Sequence, residues 1–390
     1  MSACVYIFYK LIGMEVEWSM KKCIMLVHSS LVVGGAEKMI VYLANLLSDK
    51  YRVIFVMLEN KESNFFLSDN VRIVNLHYDS YMSTRVADMS FCNRFLQLKN
   101  IINDLRHIIK NENVDLVVAF KSRETLFSFL ATRFIDTKLL LSQRGDPRTT
   151  SSVWNLIYTI AYNLCNGVVF QLDAVRKYYM FRSGHSCVIP NPSFEVNIPY
   201  TGEKKKILAA GRFCTIKRHD ILIKAFAVVV KKYPDYELYL YGANKNRDDE
   251  YSNLKALAES LGISDKVFFK DAMKDVIINN LDAEMFVFSS ESEGIPNILI
   301  EALSSGIPCI ATNCSPGGAA FLLNNGENGL LVEKNSVIDL AAAMIKYITN
   351  RELAVQYGEK GKLYMKNFTE DIISEKWLNY ISKVLKNKIM

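Results

Sequence analysis

Residues 286–301 read FVFSSESEGIPNILIE. An apolar strand over Phe286–Phe288 runs into a small polar turn, and Pro296 then opens a helical run. Proline suits a helix start because the N–H it lacks would be unpaired there anyway. One glutamate stands on each side of that proline, at Glu293 and Glu301. Taken alone, both have a plain explanation, since carboxylates complement the dipole of a helix's first turns. The rest of the chain decides whether they do more.

The same strand-then-helix rhythm fills the sequence. Short apolar runs read as strands at CIMLVHS, RVIFVML, VRIVNL, DLVVAF, KLLLSQ, GVVFQL and SCVIP, with helical patterns at 35–48, 93–111, 123–134, 151–164 and 173–182. After NPSFEVNIPYTGEKK, a linker with two prolines, the pattern restarts with KKILAAG, ELYLYG, KVFFKD, AEMFVFSS and PCIATN. Helices are expected there near 219–232, 250–261, 273–280, 296–305 and 336–349. Continuous apolar strands alternating with helices predict parallel sheets covered on both faces. The fold class is therefore α/β, with two Rossmann-like doubly wound domains and the ligand expected in the cleft facing both carboxyl edges. The expected bounds are 20–195, 204–370 and a C-terminal helix, 371–390, returning to the first domain.

Composition narrows the class. The 390 residues are 50% hydrophobic and 23% charged, as in an ordinary globular protein. Eight cysteines include no CxxC pair and no Cys/His cluster, so they read as reduced cytosolic thiols. Residues 1–200 carry 22 Lys/Arg against 17 Asp/Glu, which places most of the net charge of +6 in the first half. No basic stripe is interleaved with aromatics, so nucleic acid is not the expected partner. An anionic membrane surface or a phosphorylated acceptor suits the surplus better. The segment before Met20 is a poor signal peptide, and 1–19 is expected to be a dispensable leader. The uncharged run at 149–172 is too polar for a span and splits into a helix and a strand. Trp154, Tyr158 and Tyr162 recur every four residues in that helix, a face suited either to burial against the sheet or to a headgroup boundary.

Three constellations could carry chemistry. Gly34 and Gly35, in GGAE, follow the first strand and open a helix, which lets backbone N–H groups approach an anion. The motif is neither GxGxxG nor a Walker A loop, and an ordinary turn explains it equally well. Arg212 and Lys217, in GRFCTIKRHD, follow the first strand of the second half, and two fixed cations there suit a diphosphate. A solvated basic loop is the plain alternative. The helix opening after Gly294, Ile295, Pro296 and Asn297 then aims its free N–H groups at the same edge.

Together GGAE, GRFxxxKRHD and the E-x7-E motif of SESEGIPNILIEALSSGIPCIAT resemble the retaining GT-B glycosyltransferases of family GT4, of the bacterial capsule, O-antigen and lipid-linked glycan type. The resemblance covers nearly everything from Met20 on. It implies that Glu293 binds donor-sugar hydroxyls and Glu301 the ribose, while Arg212 and Lys217 hold the diphosphate and offset charge on the leaving phosphate. Such contacts are each worth about 3–4 kcal/mol. Gly294 to Asn297 would add the helix N-terminus, and Gly34 and Gly35 would border the phosphates and acceptor. The donor implied is a nucleotide sugar, UDP-linked by preference, carrying a hexose or N-acetylhexosamine. The acceptor implied is a saccharide or polyprenyl-linked saccharide, and the location cytoplasmic or peripheral on the inner membrane face. No DxD motif occurs, so neither a catalytic metal nor a cofactor is expected.

One departure stands out. Where many relatives carry a histidine after the fourth strand, this chain reads VVAFKSRET, leaving Lys121 and Arg123, with Arg144 of SQRGDPR, as candidate acceptor or donor contacts. A glycoside hydrolase is disfavoured, since eight helical residues would separate Glu293 and Glu301 by about 12 Å. A nucleotide-sugar 2-epimerase or an inactive binding subunit of the same fold remain as alternatives.

Overall fold

The computed structural model describes residues 21–31, 34–59, 65–78, 91–120, 122–180, 184–243 and 250–386. The expected leader 1–19 and Lys121 lie outside them. The chain divides into two compact units. One holds the residues up to Arg144, Ser151–Ile189 and the chain from Ser374 on; the other holds Gly145–Thr150 and Pro190–Ile373. The first unit thus ends nearer 189 than 195, and a short excursion at 145–150 belongs to the second.

In the first unit the strands are β1 (Cys23–His28), β2 (Arg52–Met57), β3 (Val71–Asn75), β4 (Leu116–Phe120), β5 (Lys138–Gln143), β6 (Gly167–Phe170) and β7 (Ser186–Val188). Their order is β3-β2-β1-β4-β5-β6-β7, parallel throughout. β1 and β4 are buried at every position, which is why their sequences are apolar without alternation. The helices between them are α1 (Gly35–Ser48), α2 (Phe91–Asn111), α3 (Ser122–Thr132), α4 (Ser152–Leu164) and α5 (Asp173–Tyr179).

Helix α4 divides the expected aromatic face. Tyr158 and Tyr162 are buried, with the Tyr162 ring edge-on to Phe170 at 5.7 Å and to Tyr179 at 5.1 Å. The outward face instead shows Val153, Trp154, Leu156, Ile160 and Leu164, all exposed. No helix among the described residues is long and apolar enough to cross a membrane.

The second unit holds β8 (Lys204–Ala210), β9 (Glu237–Gly242), β10 (Val267–Asp271), β11 (Ala283–Phe288), β12 (Cys309–Thr312) and β13 (Leu330–Val332). They form a parallel sheet in the order β10-β9-β8-β11-β12-β13. Its helices are α6 (His219–Lys232), α7 (Glu250–Ser260), α8 (Asn297–Ser304), α9 (Gly318–Leu322), α10 (Val337–Thr349) and α11 (Arg351–Met365). The core between sheet and helices is aliphatic and aromatic, including Leu222, Phe226, Leu238, Met285, Met344 and Tyr347. Each such side chain contributes roughly 1.5–3 kcal/mol by leaving water.

The helix expected at 273–280 does not form. Asp275 takes a left-handed φ of 55°, and only a 3-10 turn at Ile278–Asn280 remains. The side-chain amides of Asn279 and Asn280 donate to the carbonyls of Asp275 and Val276 at 3.0 and 2.7 Å. Asparagine competes for backbone groups in this way, which weakens a helix. The final helix, α12 (Glu370–Lys386), runs into the first unit, with Trp377 fully buried against Phe120.

Candidate active site

Each sheet has a point where consecutive strands diverge to opposite sides, and doubly wound folds bind ligands there. In the second unit that point lies between β8 and β11. The loop after β8 is a turn that ends in the 3-10 segment Thr215–Lys217. The loop after β11 is stitched to it: Ser289 Oγ donates to the Lys217 carbonyl at 2.8 Å, and Glu291 N to the Ile216 carbonyl at 2.9 Å. The consequence is a direct ion pair between Lys217 Nζ and Glu293. The ammonium also lies 5.5 Å from the centroid of the Phe288 ring, within cation–π range.

Arg212 projects from the same turn and is exposed. Its neighbour Phe213 is buried and anchors the turn edge-on to His219 at 5.7 Å and Phe269 at 5.9 Å. His219 is buried, and desolvation, with Lys217 close by, pushes its pKa down to about 4. It is therefore neutral at pH 7, so the cations of this loop are Arg212, Lys217 and Arg218.

Arg218 carries no hint of its role in the sequence. It adopts a left-handed φ of 50° and ψ of 40°. Its guanidinium forks onto Asp220 at 3.0 and 3.2 Å, reaches Glu291 at 3.4 Å and also bonds Asn335. Burial alone would raise the Asp220 carboxyl, but Arg218 outweighs it and holds that pKa below the usual range. The arrangement ties α6, the β11 loop and the loop after β13 together.

Helix α8 starts one residue after Pro296. Gly294, Ile295 and Pro296 are buried and Asn297 is half-buried, so the loop is a packed element. Asn191, from the linker, donates its amide to Asn297 Oδ1 at 2.5 Å and to the Ile295 carbonyl at 3.3 Å. Glu301 is half-buried one turn into α8. On the other side, Glu293 N donates to the Ser315 carbonyl at 2.8 Å. Gly318, at the start of α9, lies against the Gly294 carbonyl so tightly that a Cβ there would sit 1.5 Å from that oxygen. The site brings together Lys217, Glu293 and the N-terminus of α8, with Arg212 exposed nearby and Glu301 one turn further in.

In the first unit the equivalent point lies between β1 and β4. Gly34 caps α1 in extended backbone and Gly35 is its first residue. Glu124, in the first turn of α3, is buried and accepts from Ser29 N at 3.0 Å and from Ser29 Oγ. It stands in KSRET beside Arg123, which is exposed. Charge drew attention to Lys121 and Arg123, whereas the buried members of the motif among the described residues are Glu124 and Thr125.

Arg144, expected as a donor or acceptor contact, is buried. Its guanidinium lies over Phe120 at 4.6 Å and Trp377 at 5.4 Å, and burial lowers its pKa to about 9. It packs α12 onto the sheet. The residues of SQRGDPR that reach the candidate site are Asp146, bonded to Ser292 Oγ at 2.9 Å, and Arg148, bonded to Ser315 Oγ at 2.7 Å.

Comparison with known proteins agrees with this layout. A glycosyltransferase from Haemophilus influenzae, described as uncharacterized, is 28% identical over 88% of this chain and 95% of its own. A Campylobacter jejuni enzyme is 24% identical over 90% of this chain and 96% of its own; it is described as a GalNAc-alpha-(1->4)-GalNAc-alpha-(1->3)-diNAcBac-PP-undecaprenol alpha-1,4-N-acetyl-D-galactosaminyltransferase. The crystal structure of Anabaena HepE in complex with UDP and glucose superposes with a TM-score of 0.77, at 16% identity over 93% of this chain and 100% of that one. Residues 194–364, which contain Arg212, Lys217, Glu293 and Glu301, match the family model described as Glycosyl transferases group 1. The chain is thus a GT-B-fold protein of two parallel-sheet units, and residues 194–364 of the second match the glycosyl transferases group 1 family.

Proposed function

We propose that the protein is a retaining, metal-independent glycosyltransferase that moves a hexose or N-acetylhexosamine from a UDP-sugar to a polyprenyl-linked or free saccharide. The observation that carries this reading is the Lys217–Glu293 ion pair beside the α8 N-terminus. A cation, a sugar-reading carboxylate and a helix N-terminus side by side suit a diphosphate joined to a sugar. In the proposed reaction the acceptor oxygen bonds to the anomeric carbon as its bond to the phosphate oxygen breaks. The departing phosphate takes the acceptor's proton on the same face, so configuration is kept. Lys217 and Arg212 offset the charge that grows on that phosphate, as charge-directed groups do when fixed in advance. Glu301 reads the ribose. The UDP and lipid-linked saccharide named for the relatives support donor and acceptor classes.

A cytoplasmic protein resting on the inner face of the membrane fits that acceptor. Support comes from the surplus of Lys/Arg in residues 1–200 and from the exposed apolar side chains of α4.

Calorimetry with UDP tests the core of this reading. UDP binding should survive Glu293→Gln while turnover of UDP-sugars falls, and should weaken in Glu301→Ala. Equal loss of UDP affinity in both variants would refute the division of roles, and no UDP binding by the wild-type chain would refute the donor. Incubation with UDP-sugar alone separates transfer from 2-epimerisation, because an epimerase needs no acceptor.

A further inference from the structure

We propose that the turn Gly145–Thr150 is a positioning strap for Glu293, acting through Asp146 on Ser292 and through Arg148 on Ser315. The proposal rests on Glu293 reading the donor sugar, but the strap itself is visible without any ligand.

Asp146 is 5% exposed, a buried carboxylate that must be satisfied to be tolerated. It caps the 3-10 turn Pro147–Thr149, with one carboxylate oxygen accepting from Arg148 N at 3.0 Å. The other accepts from Ser292 Oγ at 2.9 Å in a fully buried bond. Both oxygens are therefore used, one to shape the turn and one to hold the residue that precedes Glu293. A charged acceptor makes this bond stronger than one between neutral groups.

Arg148 extends from the same turn. Its Nη1 donates to Ser315 Oγ at 2.7 Å. Ser315 is the residue whose carbonyl accepts from Glu293 N at 2.8 Å and whose N–H donates to the Glu291 carbonyl at 3.3 Å. So the strap grips Glu293 from both sides: Asp146 fixes the side chain of Ser292, and Arg148 fixes the residue paired to the Glu293 backbone. Asp146 and Arg148 act on Glu293 through Ser292 and Ser315, which makes them positioning residues. Misplacement of a reacting group by about 1 Å can cost roughly a hundredfold in rate, so a strap of two bonds has consequences for turnover.

The test uses the full chain in three variants: Ser292→Ala and Asp146→Ala, which each remove the bond, and Asp146→Asn, which keeps an acceptor oxygen. The readouts are hydrogen exchange at the Glu293 amide, UDP affinity by calorimetry, and release of UDP from UDP-glucose and UDP-N-acetylgalactosamine. We expect exchange at Glu293 to quicken about tenfold in both alanine variants, equivalent to about 1.4 kcal/mol. UDP affinity should stay within about twofold of wild type, turnover should fall about tenfold, and Asp146→Asn should recover most of both. A purely structural turn would lower melting temperature in Asp146→Ala and leave Glu293 exchange in Ser292→Ala untouched; that result overturns the proposal. Loss of UDP affinity as large as the loss of turnover overturns it too, because the strap would then act on the nucleotide. Absence of UDP binding in the wild type sinks the proposed donor instead, and the exchange comparison still decides the strap.

Discussion

Replacing Gly318 by alanine should damage the loop that carries Glu293 from outside it. A Cβ at this position would stand 1.5 Å from the Gly294 oxygen, 2.7 Å from its carbonyl carbon and 3.3 Å from Ile295 Cα. Ordinary contact begins near 3.4 Å, so the two backbones must separate by about 1.9 Å. No flexible side chain can yield, because every atom in the way is main chain. The φ of Gly318 is ordinary, unlike the +107° of Gly317, so the penalty is contact and not backbone strain. Overpacking of this kind costs about 1–3 kcal/mol, and the upper end applies where neither side can relax. At roughly 2–4 °C per kcal/mol for a unit of this size, melting should fall by about 6–12 °C. Gly294 adjoins Glu293, so a shift approaching 2 Å should also lower turnover about a hundredfold or more. Scanning calorimetry and UDP release from a UDP-sugar check both figures. A Gly318→Ala protein that melts within about 2 °C of wild type and keeps its turnover would show that the contact does not hold the loop.

Three further outcomes follow from single residues or faces. His219 has its folded pKa lowered from 6.5 to about 4, so the unfolded chain binds the proton more readily. The stability this confers is complete above pH 6.5 and is lost as pH falls toward 4, at up to about 1.4 kcal/mol per pH unit; His219→Phe should flatten the urea-unfolding profile across that window, and parallel profiles would contradict it. Arg218 holds a left-handed φ of 50°, so Arg218→Ala should be less stable than Arg218→Gly by about 1 kcal/mol although both lose the bonds to Asp220 and Glu291; equal stability would show no backbone strain. The exposed Leu156 and Ile160 of α4 should place the protein on anionic liposomes at low salt, and Leu156→Asp with Ile160→Asp should release it. Flotation that is unchanged in the double variant would assign the membrane contact elsewhere or nowhere.

The two sheets were legible because strands buried on both faces leave a continuous apolar signature, as in β1, β4 and β11. Lys217 and Glu293 were legible because both follow strands that end at the same edge, and the ion pair is the spatial form of that coincidence. Helix α11 was not, because Gly358 and Gly361 lower helix propensity over Arg351–Met365. Their reason is tertiary: a Cβ at Gly358 would meet the Gly306 carbonyl at 2.2 Å, so the residue serves the close approach of α11 to the end of α8. The packing of Arg144 was hidden for a related reason. Charge near a strand end suggests a ligand, yet a guanidinium between Phe120 and Trp377 is a packing group, and Trp377 lies more than 230 positions away in sequence. The same distance hides the strap, since Asp146 and Ser292 are 146 residues apart. Sequence shows which groups can do chemistry at a strand end. What it withholds is how those groups are held, because the holding is done by glycines without side chains, by serines of no special spacing and by residues from distant parts of the chain. A carboxylate is only as useful as the loop that aims it, so the residues missed at this site are the ones that decide whether the residues found can work.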